Sequence, residues 1–208
     1  MTKSSETTTA GTGVSPRRKA TETRLLDAAE RVFAARGFDA AGVKEIAETA
    51  RANVALINRY FGGKQGLLFA ICERFMARKA HGPLPYPPQK SLRDEIHAYL
   101  RHRLREDRRD DRVVRLMVSR ITIDDAFRRR ATESFATEAD ANFRERVERL
   151  RDGGRVAADA DIDRLFTMVA FFSFSTNLFG VLIQGRPEAE IDALFADFAD
   201  RMGRDTGR

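Results

Sequence analysis

The sequence predicts an all-α protein, and three observations carry this prediction. Apolar residues recur at intervals of three and four along most of the chain, which is the period of an amphipathic helix. Gly and Pro residues mostly stand between these periodic segments, and no stretch of useful length alternates as a strand does. With 208 residues, 42% of them hydrophobic and 15 of them Phe, the chain can also bury a substantial core.

The N-terminal part of the chain divides into a tail and a small helical domain. Residues 1–16 are rich in Thr, Ser and Gly and lack an apolar pattern, so we expect a disordered tail. Residues 17–80 form the first predicted domain, a three-helix helix-turn-helix unit followed by a further helix. The second helix spans about 43–50, and Asn53 stands where the N-cap of the third belongs. Two glycines, at 62 and 63, end that third helix.

A Pro-rich linker separates this domain from a larger C-terminal domain, residues 89–208. Four Pro residues lie between positions 82 and 88, where neither a helix interior nor a sheet interior is possible. Beyond the linker every segment has a helical period, with apolar faces that begin at Leu92, Val113, Phe135 and Ile191. The second domain is therefore predicted to be entirely helical.

The excess positive charge of the chain lies in the first domain. Positions 17–79 hold 13 Lys and Arg residues against 7 Asp and Glu, whereas positions 82–208 hold 23 of each. A basic domain joined to a neutral one is typical of a polyanion-binding module attached to a module with another task. Solvated helix faces without a partner are the alternative.

The sequence lacks the residue patterns that metal sites and catalytic sites require. The single cysteine, Cys72, excludes an intramolecular disulfide and a thiolate metal site. The three His residues lack the spacing of a zinc site, and no nucleophile motif or phosphate-binding Gly-rich loop occurs. We therefore expect no metal, no cofactor and no enzymatic activity. The cysteine usage and the absence of an apolar signal segment predict a cytoplasmic protein.

Two short helices joined by a tight turn predict a helix-turn-helix. Small or branched apolar residues allow the two helices to cross closely, and the first helix supplies Ile46, Ala47 and Ala50. The second helix is expected to bury one face and to present the other to the major groove of DNA. The predicted buried face consists of Val54, Ile57 and Phe61. The predicted outward positions are Ala55, Leu56, Asn58, Arg59 and Tyr60. An Asn can bind adenine and an Arg can bind guanine, while Ala or Leu can contact a thymine methyl group.

The run TRLLDAAERVFAARGFDAAGVKEIAETARANVALINRYFGGKQGLLFAICERF, residues 23–75, resembles the DNA-binding domain of TetR-family regulators. The helix, Gly-Phe, Ile-Ala, Tyr-Phe and Lys elements all fall at the spacings of that family. The resemblance implies that the third helix reads the major groove of double-stranded operator DNA. It implies contacts to the DNA backbone at Lys44, Asn53, Tyr60 and Lys64. It implies groove-facing positions at Val54, Ala55, Leu56, Asn58 and Arg59.

The chain departs from that family pattern at three positions. Gly42 stands where the family usually has a Thr or Ser that caps the helix and binds phosphate, so this contact is lost or supplied by backbone. Arg51 replaces the usual turn Gly, which makes a left-handed backbone conformation less favourable at this turn. Asn58 replaces a common Tyr and should change which bases are read. The basic run at positions 17–19 is either an arm on DNA or a solubilising tail.

Positions 165–185 carry no charged residue and are long enough to cross a bilayer. Ser173, Asn177, Gly180 and Gln184 form a polar strip on this segment, which favours a helix buried on all sides over a membrane span. The resemblance implies that the last two long helices pair with those of a second subunit. The residues expected at this homodimer interface are Phe172, Phe179, Ile191, Leu194, Phe195 and Phe198.

The Phe-rich C-terminal domain is also a candidate small-molecule site. Met117, Phe143, Ser173 and Asn177 would combine apolar walls with a few polar groups, as ligand cavities usually do. Ordinary core packing is the alternative for each of these residues. Together, the sequence predicts a DNA-binding transcriptional regulator, a repressor released from its operator by a small-molecule effector. The alternative is a helical protein-interaction or membrane-associated module that does not read DNA.

Overall fold

The computed structural model describes residues 15–81, 84–134 and 141–206, apart from the side chains at positions 80, 81, 134, 205 and 206. These residues form helices without a strand, so the all-α prediction is confirmed. The helices are α1 (Pro16–Arg36), α2 (Val43–Thr49), α3 (Ala55–Phe61), α4 (Lys64–His81), α5 (Leu92–Arg109), α6 (Asp111–Ile123), α7 (Asp125–Ser134), α8 (Ala141–Asp152), α9 (Ile162–Ser175) and α10 (Glu188–Thr206). A π-helical segment, Thr176–Ile183, continues α9 and is called the π segment below.

The chain folds as two compact units, Met1–Ala70 and Ile71–Arg208, and the boundary between them falls within α4. The sequence placed all of this helix in the first domain. The disordered tail was predicted for residues that lie largely outside the described part of the chain, and Pro16 already belongs to α1. Phe135, which begins the third predicted apolar face, also lies outside the described residues.

The core of the first unit combines small and branched side chains with the rings of Phe33, Phe38 and Phe69. Five residues of α1 are buried, and so are Ile46 and Ala47 of α2. The third helix contributes Ile57, which has no exposed surface. Burying Ile, Leu or Phe stabilises a fold by about 1.5–3 kcal/mol per side chain. This burial stabilises α2 and α3, which at seven residues each would be unstable alone.

The core of the second unit gathers α5, α8, α9 and α10 around aromatic side chains. Tyr99 stacks on Phe143 with ring centroids 4.0 Å apart, and Phe166 meets Phe143 edge-on at 5.3 Å. On the other side of the bundle Phe172 stacks on Phe198 at 4.0 Å. A buried ion pair, Glu95 with Arg146 at 3.2 Å, joins α5 to α8.

The uncharged segment differs from the sequence prediction in two ways. It is an α-helix only as far as Ser175 and then widens into the π segment, which no periodicity in the sequence indicated. It is also not buried on all sides, because Phe171, Phe179 and Ile183 are 69%, 57% and 63% exposed. The expected polar strip does face inward at Ser173, Asn177 and Gly180. Three of the four strip residues are therefore buried, whereas Gln184, which follows the π segment, is exposed, and so is part of the apolar surface.

Candidate nucleic-acid interface and ligand cavity

The third helix presents most of its surface to solvent. Of the three residues predicted to be buried, only Ile57 is, since Phe61 is half-buried and Val54 is 41% exposed. The prediction for Val54 as a core residue is wrong because the helix begins only at Ala55, one position after it. The side chains that are exposed at this helix are Val54, Ala55, Asn58 and Arg59, while Leu56 and Tyr60 are half-buried. These are the positions that the resemblance assigns to DNA, and their contacts remain predictions.

Asn53 shapes the start of this helix. Its Oδ1 accepts a hydrogen bond from the Ala55 N–H at 2.8 Å, and its carbonyl oxygen accepts one from the Leu56 N–H at 3.0 Å. The prediction that Asn53 is the N-cap is wrong, because the helix begins later than predicted and Val54 is its N-cap, but the Asn53 side chain still satisfies the N–H of the first helical residue. Gly62 ends the helix in the left-handed conformation (φ 73°) that a C-terminal glycine favours.

The turn between α2 and α3 retains its left-handed residue without a glycine. Arg51 has φ 50°, the only positive φ of a non-glycine residue among those described. Its N–H donates to the carbonyl of Glu48 at 3.0 Å, and the next N–H, of Ala52, donates to Ala47 at 2.9 Å. These two bonds hold the tight turn, so the conformation survives the substitution at a cost in backbone strain.

The start of α2 lacks a side-chain cap, as the family comparison suggested. Gly42 is the N-cap with extended backbone angles, and no side chain there can accept a hydrogen bond from the first turn. The next charged residue, Lys44, is exposed on α2. Its ammonium group is therefore available for the predicted contact to the DNA backbone.

Lys64 is engaged within the protein. Its ammonium group donates to the carbonyl oxygens of Asp39 at 3.0 Å and Ala41 at 2.9 Å. It also lies 4.6 Å from the ring centroid of Phe38, within range of a cation–π interaction. Two of the three N–H donors of the group are thus used inside the domain. This arrangement favours a structural role for Lys64 over the phosphate contact that the sequence assigned to it.

Tyr60 is held from the side by the first helix. The guanidinium of Arg18 lies 4.9 Å from the ring centroid of Tyr60 and pairs with Glu22 at 2.7 Å. The basic run at positions 17–19 belongs to the first turn of α1, so it is neither a free arm nor a free tail. The run adds positive charge beside the exposed face of α3.

Gly66 is a structural requirement that sequence reasoning did not identify. A Cβ atom at this position would lie 1.7 Å from the carbonyl oxygen of Phe61, so only glycine allows α4 to start this close to the end of α3. A glycine inside a helix costs about 1 kcal/mol relative to alanine, and its presence could have signalled a packing constraint.

The second unit contains a cavity of about 710 Å³, within the range of small-molecule sites. Its walls come from α4, α6, α7, α8, α9 and the π segment. Of the four residues predicted to bind an effector, only Met117 lines it. Phe143 is 1% exposed and lies one layer behind, in edge contact with Phe166, which does line the cavity. The predictions for Phe143 and Ser173 as wall residues are wrong because both face the protein core.

Asn177 is buried in a polar network instead of the cavity. Its Nδ2 donates to Asp107, which also pairs with Lys79 of α4. Arg103 donates to the carbonyl oxygen of Lys79 at 3.1 Å. Burial lowers the pKa of Lys79, and the charge of Asp107 opposes that effect. The network ties α4 to α5 and to the π segment.

The predicted dimer residues divide into three groups by their exposure. Ile191 and Phe195 are fully buried inside the protomer, so the prediction that they contact a partner is wrong. Their i, i+4 spacing placed them on an apolar face, but this face packs on the rest of the bundle. Phe179 and Leu194 are 57% and 41% exposed, and Phe172 and Phe198 are half-buried in a mutual stack. Phe179 and Leu194 are thus the most accessible of the six residues, and their contact with a second subunit remains a prediction.

A membrane span and a metal site are the structural features that would support other functions. One helical stretch, Ile162–Ile183, is long and apolar enough to cross a membrane by length and composition alone, a test that core helices of other proteins also pass. No group of three or more His, Cys, Asp or Glu side chains in the described part of the chain is arranged to hold a metal ion.

Comparisons with known proteins agree with this geometry. Residues 25–71 match the family model of bacterial regulatory proteins of the tetR family. No curated protein matches the sequence. Among solved structures, GusR of Salmonella enterica is similar with a TM-score of 0.62 at 18% identity, covering 88% of this chain and 95% of that one. A transcriptional regulator from Aquifex aeolicus VF5 has a TM-score of 0.60 at 16% identity, covering 88% and 99%. These likenesses establish the fold along most of the chain.

Proposed function

We propose that this chain, which belongs to the TetR family of bacterial regulatory proteins, is a homodimeric cytoplasmic repressor that a small molecule releases from operator DNA. Transcription regulation through the N-terminal domain is the premise. The homodimer, the repression and the effector are the proposal.

The exposed face of α3 is the observation that carries the proposal. Asn58 and Arg59 stand side by side there with no apolar cover, on a helix whose opposite face is anchored by Ile57. Such a pair can read adenine and guanine edges in the major groove. Lys44 and the basic first turn of α1 supply charge for the phosphates. Base reading and backbone contact are thus assigned to different side chains.

A dimer explains both the exposed apolar residues and the requirement for two half-sites. Two recognition helices enter successive major grooves only when they are about 34–36 Å apart. A partner packed over Phe179 and Leu194 would fix that separation and would remove apolar surface from water. An effector in the cavity would release DNA by favouring a different separation.

Binding to operator and random DNA at several salt concentrations tests the proposal. Genomic fragments retained by the purified protein are sequenced to define the operator. Arg59→Ala is expected to cost about 1–3 kcal/mol on the operator and much less on scrambled DNA. Arg201→Ala, an exposed Arg of α10 in the other unit, is the matched control and should change neither affinity. Retention of no specific fragment, or an equal loss for Arg59→Ala on both duplexes, would contradict sequence reading by α3.

A further inference from the structure

We propose that the cavity of the second unit binds an aromatic organic anion, with its carboxylate on Arg144 and its apolar body among Phe166, Phe171 and Phe174. The proposal rests on the proposed function, in which this cavity is the effector site. It adds the chemical class of the ligand, which follows from what the walls offer.

The walls of the cavity are mainly apolar and aromatic. Phe166, Phe171 and Phe174 lie along one side of α9, and Met76 and Met117 face them from α4 and α6. Phe171 and Phe174 are 69% and 49% exposed although they line a cavity. A flat aromatic body would cover these rings, and burial of apolar surface contributes about 25 cal/mol per Å².

The hydroxyl groups of the lining do not provide hydrogen-bond donors. Thr132 donates to the carbonyl of Arg128 and Thr167 to that of Asp163, both at 2.9 Å. Thr122 donates to the carbonyl of Ser119, also at 2.9 Å. While a hydroxyl donates to the backbone, it can only accept a hydrogen bond from a ligand. The side-chain donors that line the cavity are therefore the two guanidinium groups of Arg128 and Arg144.

Arg144 is positioned to receive a carboxylate. Its guanidinium lies 4.5 Å from the ring centroid of Phe166, which holds it at the wall of the cavity. It has two carboxylate partners, Asp163 at 2.6 Å, whose side chain is 84% exposed, and Glu148 at 3.9 Å, whose side chain is 41% exposed. A ligand carboxylate can replace Asp163 without stranding it, because Asp163 would remain in water. An exposed ion pair of this kind is weak and exchanges readily.

The charge balance of the lining favours an anion over a cation. Among the lining residues Arg128 and Arg144 are positive and Asp163 is negative, while Glu148, which lies 3.9 Å from Arg144, is outside the lining. Arg128 is paired with Asp125, whose side chain is 75% exposed, so this pair is also solvated. A cationic ligand would have to take Asp163 from Arg144 and leave two guanidinium groups beside its own charge. An anionic ligand would instead be attracted by both guanidinium groups.

A series of three probes with one apolar body tests the proposal. Fluorescent 1-pyrenebutyrate, 1-pyrenebutanol and 1-pyrenebutylamine are titrated into the full-length protein. We expect the acid to bind about tenfold more tightly than the alcohol, and the amine to bind most weakly. Arg144→Gln should weaken the acid about tenfold and leave the alcohol unchanged. Asp163→Asn should tighten the acid about threefold, since it removes a competing carboxylate.

The matched control is Arg149→Gln. Arg149 also lies on α8, is 57% exposed and pairs with a Glu one turn away, but it does not line the cavity. It should leave all three affinities unchanged. An amine that binds as tightly as the acid, an Arg144→Gln variant that loses all three probes equally, or a folded protein that binds none of them would overturn the proposal. Operator binding is measured without probe, so failure here would leave the DNA-binding function standing.

Discussion

The ammonium nitrogen of Lys64 lies 2.9 Å from the carbonyl oxygen of Ala41, a residue 23 positions earlier in the chain. This bond ties the first residue of α4 to the loop that precedes α2, and Gly42 follows directly as the N-cap of α2. The same ammonium group also binds the carbonyl of Asp39. One side chain thus fixes the loop from which the helix-turn-helix starts.

Lys64→Met is therefore expected to lower stability. The variant keeps the aliphatic chain but removes two charge-assisted hydrogen bonds from a half-buried site, so we expect a loss of about 1–2 kcal/mol. Urea denaturation measures the free energy of unfolding. The slope of operator affinity against salt concentration should stay unchanged, because no phosphate contact is lost.

Lys44→Met is the matched control, since Lys44 is exposed on α2. It should lower the salt slope by about one ion per subunit and leave stability unchanged. If Lys64→Met instead keeps full stability and lowers the salt slope, the ammonium group contacts phosphate and the internal role is wrong.

Ile57 and Lys64 show which features of this fold can be predicted from the sequence and which cannot. The burial of Ile57 follows from helical periodicity, and so do most apolar faces and the all-α class. The partners of Lys64 are backbone carbonyls of a distant loop, and no spacing rule encodes them. Ile191 and Phe195 show the same limit, because periodicity finds an apolar face but not the surface that covers it. The π segment also escaped prediction, since its sequence fits an α-helix.

Gly66→Ala is expected to disrupt the helix-turn-helix. Its methyl group would meet the carbonyl oxygen of Phe61 at 1.7 Å, and backbone cannot yield as a flexible side chain would. We expect the free energy of unfolding to fall by about 3 kcal/mol, and operator binding to be lost as a consequence. Gly42→Ala is the control, because no atom lies within 4 Å of its Cβ position. Equal behaviour of the two variants would show that α4 tolerates a shift away from α3.

Arg51→Gly is expected to stabilise the turn. Arg51 has φ 50°, where a side chain costs about 1–2 kcal/mol, and glycine adopts this conformation freely. The greater entropy of glycine in the unfolded chain offsets part of the gain, which leaves about 0.5–1 kcal/mol. Arg51→Ala removes the same charge but keeps the backbone strain, so it should not raise the melting temperature. A similar gain in both variants would trace the effect to charge.

Cys72 should make stability fall at alkaline pH. Burial raises the pKa of its thiol from 9.0 to about 12, and the nearby Glu73 adds to the rise. The pKa of the thiol is higher in the folded protein than in the unfolded chain. The stability that the protonated thiol contributes is therefore fully present below pH 9 and is lost between pH 9 and 12. The expected slope is about 1.4 kcal/mol per pH unit. Urea denaturation of wild type and Cys72→Ala at pH 8, 9 and 10 isolates this effect from other titrations. A constant difference between the two proteins across that range would show that the thiol titrates normally in the fold.

Phe179→Glu is expected to separate the subunits. Phe179 lies on the π segment and is 57% exposed in the protomer, so a charge there is tolerated by the isolated subunit but not under a partner. Light scattering at micromolar concentration should give a dimer for the wild type and a 23.5 kDa monomer for the variant. Operator affinity should fall with it, because one recognition helix reads only one half-site.

Phe171→Glu is the matched control for this experiment. Phe171 is 69% exposed on α9 but lines the cavity, so its variant should remain a dimer and lose the pyrene probes. Changes at Ile191 or Phe195 would not test the interface, because both side chains are buried inside the protomer and their loss would unfold it. A wild-type protein that is monomeric at micromolar concentration would refute the dimer. If the Phe179→Glu variant stays dimeric and the Phe171→Glu variant is monomeric, the interface lies instead on the face of α9 that lines the cavity.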